Sequence, residues 1–315
     1  MTAPRPNGRP DIPPDTGFVE VADRCWVARH RLADVNVGLV GGTRGLVVVD
    51  THSSAATARS VVEHVRALGV GEVVAVVNTH AHWDHVFGNG TFAEEYDGPP
   101  IVAHEETAAT LTQHGAEMLE SLGQSLGQSL GQSLGQSLGQ SLGGSLDVTG
   151  TRVVVPDQTF SSARVIDLGD RIVEVLHPGR GHTAGDAVVR VADSDVLYAG
   201  DLVEESAARN GVPGFGDDCY PLEWPDTLDL VSGMLGSDSV VVPGHGLPVD
   251  KDFLMHQRAS ISVVAETIRD LASRGVRPEQ MAEAAEWPYP VEELREAFRR
   301  GAAQLPRSSR SLPML

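Results

Sequence analysis

Four short β-branched runs in this chain end on, or lead into a loop carrying, a histidine or an aspartate, and no other feature constrains the fold as much. The runs are EVVAVVNTH (72–80), which continues into AHWDH (81–85), VEVLHPGRGHTAGD (173–186), DVLYAGD (195–201) and SVVVPGHG (239–246). Apolar runs of this length bounded by turn residues read as strands. In layered α/β proteins such strand ends share an edge, where sites are commonly built. The chain therefore has to bring strand ends from both of its halves to one place.

The rest of the pattern supplies the layers. GFVEVADRCWVARH (17–30) and ADVNVGLVGGTRGLVVVD (33–50) read as short strands joined by Gly and polar turns. SAATARSVVEHVRALGV (54–70) has Ala58, Val61, Val62, Val65 and Leu68 at helical spacing, with Ser53 and Ser54 as candidate caps. PPIVAH (99–104) is a further strand and EETAATLTQHGAEML (105–119) a helix; TRVVVPD (151–157), ARVIDLGD (163–170), RIVEVLH (171–177) and DAVVRVA (186–192) are strands again. Two passes from sheet to helix predict an α/β (α+β layered) fold, two mixed sheets with helices outside. Helical patterns dominate after Asp250, over 253–275, 278–287 and 291–305.

The expected organisation is a disordered, Pro- and Gly-rich leader (1–16), a main domain (17–250), a helical region (251–304) and a flexible tail (305–315). Inside the main domain lies a low-complexity insertion (121–146), in which SLGQ occurs five times in succession and is followed by SLGG. A period of four is too short for a solenoid unit. Its leucines could line one helix face and prolong the preceding helix, but each interior Gly costs about 1 kcal/mol of helix stability. A tolerated loop expansion or frayed helix is the expectation.

Composition removes some functions. With 24 Lys and Arg against 43 Asp and Glu, the formal net charge of -19 repels a nucleic-acid backbone. FRRGAAQLPRSSR (298–310) reads as a solvated basic tail. Cys25 and Cys219 make neither a disulfide framework nor a thiolate metal site. The leader has no apolar core and no stretch is long enough to span a bilayer, so the expected setting is cytoplasmic, without a membrane partner.

On a strand, residues i and i+2 point the same way, so His80 and His82 are expected to reach one metal from a strand end, with Asp84 and His85 turned by the following Gly88 and Gly90 loop toward a second. Imidazole and carboxylate suit zinc, and also iron or manganese. His182, Asp201 and His245 stand in matching contexts. Packing accounts poorly for three histidines and an aspartate within six residues.

As a set, HAHWDH (80–85), GHTAGD (181–186), AGD (199–201) and PGHG (243–246) resemble the metallo-β-lactamase superfamily in order and approximate spacing, over residues 17–250. The resemblance implies an αββα sandwich with additional C-terminal helices and a dinuclear site between the sheets. It implies that His80, His82 and His182 hold the first metal, that Asp84, His85 and His245 hold the second, and that Asp201 bridges them. Two divalent ions, zinc first and iron or manganese as alternatives, would supply a metal-bound hydroxide for hydrolysis of an ester, thioester, lactone or amide of a small molecule. Asp84 is the candidate proton shuttle by the same analogy. Alternatives are an iron-dependent sulfur-compound dioxygenase and a metal-binding protein without catalysis.

Groups behind the ligands should orient them. Asp50 is the first candidate, against the plainer reading of a turn residue at a strand end, with Thr79 and Thr183 behind it. Candidate pocket residues are Trp83, which either shapes the cleft or packs beneath it, and His104, which either lines the rim or starts a helix. Tyr220 and Trp224, near Cys219 in GDDCYPLEWP (216–225), belong to a substrate loop or a packed loop.

Overall fold

The computed structural model describes residues 12–129, 146–206 and 211–306. A seven-stranded sheet runs β1 (Phe18–Ala22), β2 (Cys25–Arg29), β3 (Asn36–Gly42), β4 (Gly45–Val49), β5 (Val73–Val77), β6 (Ile101–His104) and β7 (Gln158–Phe160), in that spatial order. The first four strands are antiparallel neighbours; β4 to β7 are parallel. The five-stranded sheet comprises β8 (Ala163–Asp167), β9 (Ile172–Leu176), β10 (Val188–Val191), β11 (Val196–Glu204) and β12 (Val240–His245), with only the β11 and β12 pair parallel.

Alternation along the strands builds the layers. Val47 and Val49 face the second sheet, where Val173, Val175, Val189, Val191 and Tyr198 complete the central core. Leu46 and Val48, one residue out of phase, face α1 (Ala55–Leu68) and α3 (Asn89–Glu95). On the outer face of the second sheet, Leu197, Ala199 and Val241 pack under α5 (Trp224–Ser232), α6 (Lys251–Ser273), α7 (Pro278–Ala284) and α8 (Arg295–Gln304). The architecture is thus an αββα sandwich, and the helices after Asp250 share the core of its outer layer. Cys25 and Cys219 are both buried and free. Among the described residues no helix is long and apolar enough to cross a membrane.

The structure corrects several expectations. TRVVVPD is not a strand, and pairing begins only at Gln158. Pro156 lacks the N–H a ladder needs, and Val153 and Val155 pack instead against Trp83 and Leu111. The Gly88 and Gly90 segment is helical, α2 (Trp83–Val86) running almost into α3. Gly88 serves close approach rather than a turn, because a Cβ there would overlap the Thr51 carbonyl oxygen. Trp224 and Pro225, read as the end of a loop, begin the helix α5. Helix α4 (Glu105–Ser129) runs through the first two SLGQ repeats, where Leu122 joins the cluster containing Trp83; residues 130–145 of the insertion, like the leader up to residue 11 and the tail from 307, lie outside the described residues.

Candidate metal centre

Five of the seven ligand candidates sit beyond, or near the end of, a strand. His80 and His82 follow β5, His182 lies in the turn after β9, and Asp201 and His245 fall within the last residues of β11 and β12. The strand-parity expectation for His80 and His82 fails, because β5 ends at Val77 and both histidines occupy an irregular turn before α2. Asp84 and His85 ride on α2 itself.

The structure brings all seven side chains together. His80, His82, His182 and Asp201 offer atoms within 4.8 Å of one another, as do Asp84, His85 and His245. The three imidazoles of the first group form a triangle with ring centroids 4.6 to 4.9 Å apart. Asp201 stands between the groups: its Oδ2 is 3.8 Å from His80 Nε2, 3.5 Å from His182 Nε2 and 3.0 Å from His245 Nε2, while Oδ1 is 3.2 Å from His85 Nε2. Asp84 Oδ2 lies 3.4 Å from His245 Nε2. The strands can cross this closely because residue 244 is glycine, where any Cβ would collide with Asp201 Oδ1.

The outward nitrogens determine where the protons sit. His182 Nδ1 donates to the Gly214 carbonyl at 2.8 Å and His245 Nδ1 to that of Ala33 at 2.7 Å. His85 Nδ1 meets Asp50 Oδ2 at 2.8 Å and His82 Nε2 meets Asp218 Oδ2 at 3.0 Å. His80 Nδ1 faces Thr79 Oγ1 at 3.0 Å, and that hydroxyl spends its proton on Asp50 Oδ2 at 2.7 Å. Each partner can accept, so each imidazole can carry a proton on its outward nitrogen; inward, His182 Nε2 and His82 Nδ1 face each other at 2.8 Å and His245 Nε2 lies 3.0 Å from Asp201 Oδ2. His80 Nε2 and Asp201 Oδ1 are buried without a hydrogen-bond partner. Five such nitrogens and two carboxylates suit two divalent cations of the zinc, iron or manganese type.

The charges are those of an ion-paired cluster: against burial, Asp201, Asp84 and Asp50 hold His85 well above the ordinary imidazole value and Asp201 raises His245 to about 9. Burial opposes ionisation of Asp201, but His245, His85 and His80 hold it well below the usual carboxylate range. Asp84 is lowered in the same way, against its burial, by His85 and His245. Burial drives His80 well below the ordinary imidazole value, keeping it neutral.

Of the expected supporting residues, Asp50 is fully engaged, accepting from the Thr79 amide and hydroxyl and from His85. Thr79 touches His80 directly. Thr183 donates its amide and hydroxyl to Asp186, bracing the GHTAGD turn that carries His182. Burial pushes that Asp186 carboxyl up to about 7 despite those bonds. Asp218, Gly214 and Ala33 escaped sequence reasoning; each lies far from its histidine in the chain, and two of them act through backbone carbonyls.

The candidate pocket residues divide. Trp224 is fully buried, its ring edge against His182 and its Nε1 donating to the Leu202 carbonyl, so it is packed behind the centre rather than lining a rim. His104 is also buried and accepts the Glu106 amide, the helix-start role. Trp83 packs against the α4 cluster. Tyr220 is half-buried, with the guanidinium of Arg180 4.4 Å and that of Arg300 5.1 Å from its ring centre.

Known proteins resemble this chain in sequence and in fold. Residues 30–245 match the family model described as the metallo-beta-lactamase superfamily. A curated relative, a metallo-beta-lactamase type 2 of Bacillus cereus, is 29% identical over 222 residues, covering 70% of each chain. Among solved structures, a metallo-beta-lactamase from Pontibacter korlensis superposes with TM-score 0.58 at 22% identity, over 78% of this chain and 97% of its own. A stereoselective inverting sec-alkylsulfatase from Pseudomonas sp. reaches TM-score 0.71 at 17% identity, over 91% of this chain and 50% of its own.

Proposed function

Because the chain belongs to the metallo-β-lactamase superfamily, we propose that it is a metal-dependent hydrolase of a small molecule, cleaving an ester, thioester, lactone or amide bond. The observation that carries this reading is the convergence of five imidazoles, each with an acceptor for its outward nitrogen, and two carboxylates held ionised, in two groups whose ligand atoms lie within 4.8 Å of one another. His80, His82 and His182 would hold one divalent ion and Asp84, His85 and His245 the other, with Asp201 between the two sets. Zinc is the first choice, with iron and manganese as alternatives. Such a pair, when bound, acidifies water and polarises the bond under attack.

The chain's own groups do the rest. Asp50, Thr79, Gly214, Ala33 and Asp218 hold the imidazoles so that no reorganisation is needed during turnover. Asp84, a carboxylate beside His245, is placed to take a proton from the attacking water and pass it to the leaving group. The acidic composition disfavours nucleic acid as a substrate.

Purified protein loaded with zinc, iron or manganese and screened against thioesters, lactones, β-lactams and alkyl sulfates tests the reading. The last two classes enter because relatives bear those names. Two ions per chain with hydrolysis in at least one class is the expected result. Oxygen uptake without hydrolysis would replace it with a dioxygenase, and bound metal without turnover with a binding protein.

A further inference from the structure

His82 is the one imidazole of the centre supported by a partly exposed side chain. Its own side chain is 25% exposed, and that of Asp218, which accepts its outward proton, is 40% exposed. An exposed carboxylate on a loop holds a ligand only if the loop itself is held. The segment from Gly211 to Pro221 between β11 and α5 carries this carboxylate and also the Gly214 carbonyl that receives His182.

The hold comes from the last described helix. Arg299 Nη2 donates to the Asp217 carbonyl at 3.3 Å; Arg300 donates through Nε to Cys219 at 3.0 Å and through Nη2 to Asp218 at 3.4 Å; Gln304 Nε2 donates to Cys219 at 3.3 Å. Three successive peptide carbonyls are thereby tied to one helix. Arg300 and Gln304 are four apart and project from the same side of α8. The helix is anchored in turn, since Ala297 and Phe298 are buried in the outer core and Gly301 fits against Ile268 and Leu222. Arg300 also lies against the Tyr220 ring, and the Tyr220 amide donates to the Gly181 carbonyl beside His182. All of these helix residues lie beyond residue 245, where the family match stops.

We propose that α8 clamps the three-histidine half of the metal centre: Arg300, with Arg299 and Gln304, fixes residues 217–219 so that Asp218 orients His82. These are positioning residues, and the proposal rests on the dinuclear reading above. The basic segment FRR thus serves the centre rather than a solvated tail.

Zinc content and chelator competition, with the absorption of the cobalt-substituted protein as a second readout, test it on the full chain. The parent should hold two ions. Asp218→Ala should weaken one of them roughly ten-fold or more, the usual scale for a residue that orients a ligand histidine. Arg300→Gln should weaken the same ion by a smaller factor, roughly three-fold, and shift the same cobalt bands. In the Asp218→Ala background Arg300→Gln should add nothing, because both act through one hydrogen bond. Should Arg300→Gln not fold, Gln304→Ala, which removes a single bond, is measured in the same scheme. Variants that keep the parent's affinities, or an effect undiminished without Asp218, would overturn the clamp alone. A parent holding fewer than two ions would overturn the dinuclear reading and the clamp with it.

Discussion

The two halves of the centre are supported by different kinds of structure. Behind His85 and His245 stand the buried Asp50 carboxylate, directly after β4, and the Ala33 carbonyl, in the short turn before β3. Both belong to the sandwich. Behind His82 and His182 stand Asp218 and Gly214, on the connection between β11 and α5. One half is therefore as rigid as the sheet ends, while in the other only His80 has that support, through Thr79 and Asp50, and His82 and His182 are as rigid as a loop and whatever holds that loop. Hydrogen bonds of similar length need not make equally firm ligands.

Asp201 is where the comparison breaks down most completely, because its carboxylate belongs to both halves. Asp201→Ala leaves five imidazoles around two cations without the anion between them. Metal content should fall below one ion per chain and turnover should be lost. Retention of two ions with full activity would show that the halves are independent.

Removing the metal probes the same difference with every side chain in place. Ions bound only by the native state add stability by mass action, about 4 kcal/mol for a site whose free metal is 1,000-fold above its Kd. Chelation should lower the melting temperature, and amide exchange should rise at 211–219 before it rises around Asp50 and His85. An unchanged melt after verified metal removal would count against a site joining the strand ends, and simultaneous exchange would erase the distinction between the halves.

A smaller, more local contrast comes from the two supporting carboxylates. Asp50→Ala strips acceptors from the Thr79 amide, the Thr79 hydroxyl and His85, all buried, which costs about 2 to 4 kcal/mol even without metal. Asp218→Asn removes only a partly exposed charge and should leave the metal-free melt almost where it was. Equal losses from the two would mean that loop and sandwich support their ligands alike.

Much of this centre was legible because ligand residues are dense in sequence. HAHWDH and PGHG mark themselves, and the valine alternation around them sorts into inner and outer faces as a sandwich requires. Geometry was less legible than identity. Parity along EVVAVVNTH predicts the direction of His80 and His82 only while the backbone stays extended, and it stops at Val77. Trp224 beside Pro225 has the composition of a pocket rim, yet tertiary packing buries it. Asp218 reaches His82 across 136 residues and Arg300 reaches Cys219 across 81, with nothing periodic connecting them. The remaining supports are carbonyls of Gly214 and Ala33, which every residue possesses and no side chain announces.

The smallest expected effect concerns the SLGQ insertion, and it tests whether the sandwich-supported half needs its covering helix at full length. Helix α4 packs near α2, which bears Asp84 and His85, through Leu111, Met118, Leu119 and Leu122 around Trp83, Val86 and Phe87. All of those contacts precede Ser125. Deleting Ser125 to Gln140 removes four whole repeats and leaves every one of them in place. Closure entropy grows only logarithmically with the length of a connection, about 0.6 kcal/mol per doubling, so shortening this one alters stability little. Metal content, melting temperature and hydrolysis should stay close to the parent's. If turnover vanished while two ions remained bound, the insertion would have to act at the substrate, and if a stable oligomer became a monomer, its leucines would have to form an association surface. If instead only the ion held by Asp84, His85 and His245 were lost, the rigidity of that half would depend on α4 beyond Leu122, and the contrast between a sandwich-held and a loop-held ligand set would have to be withdrawn.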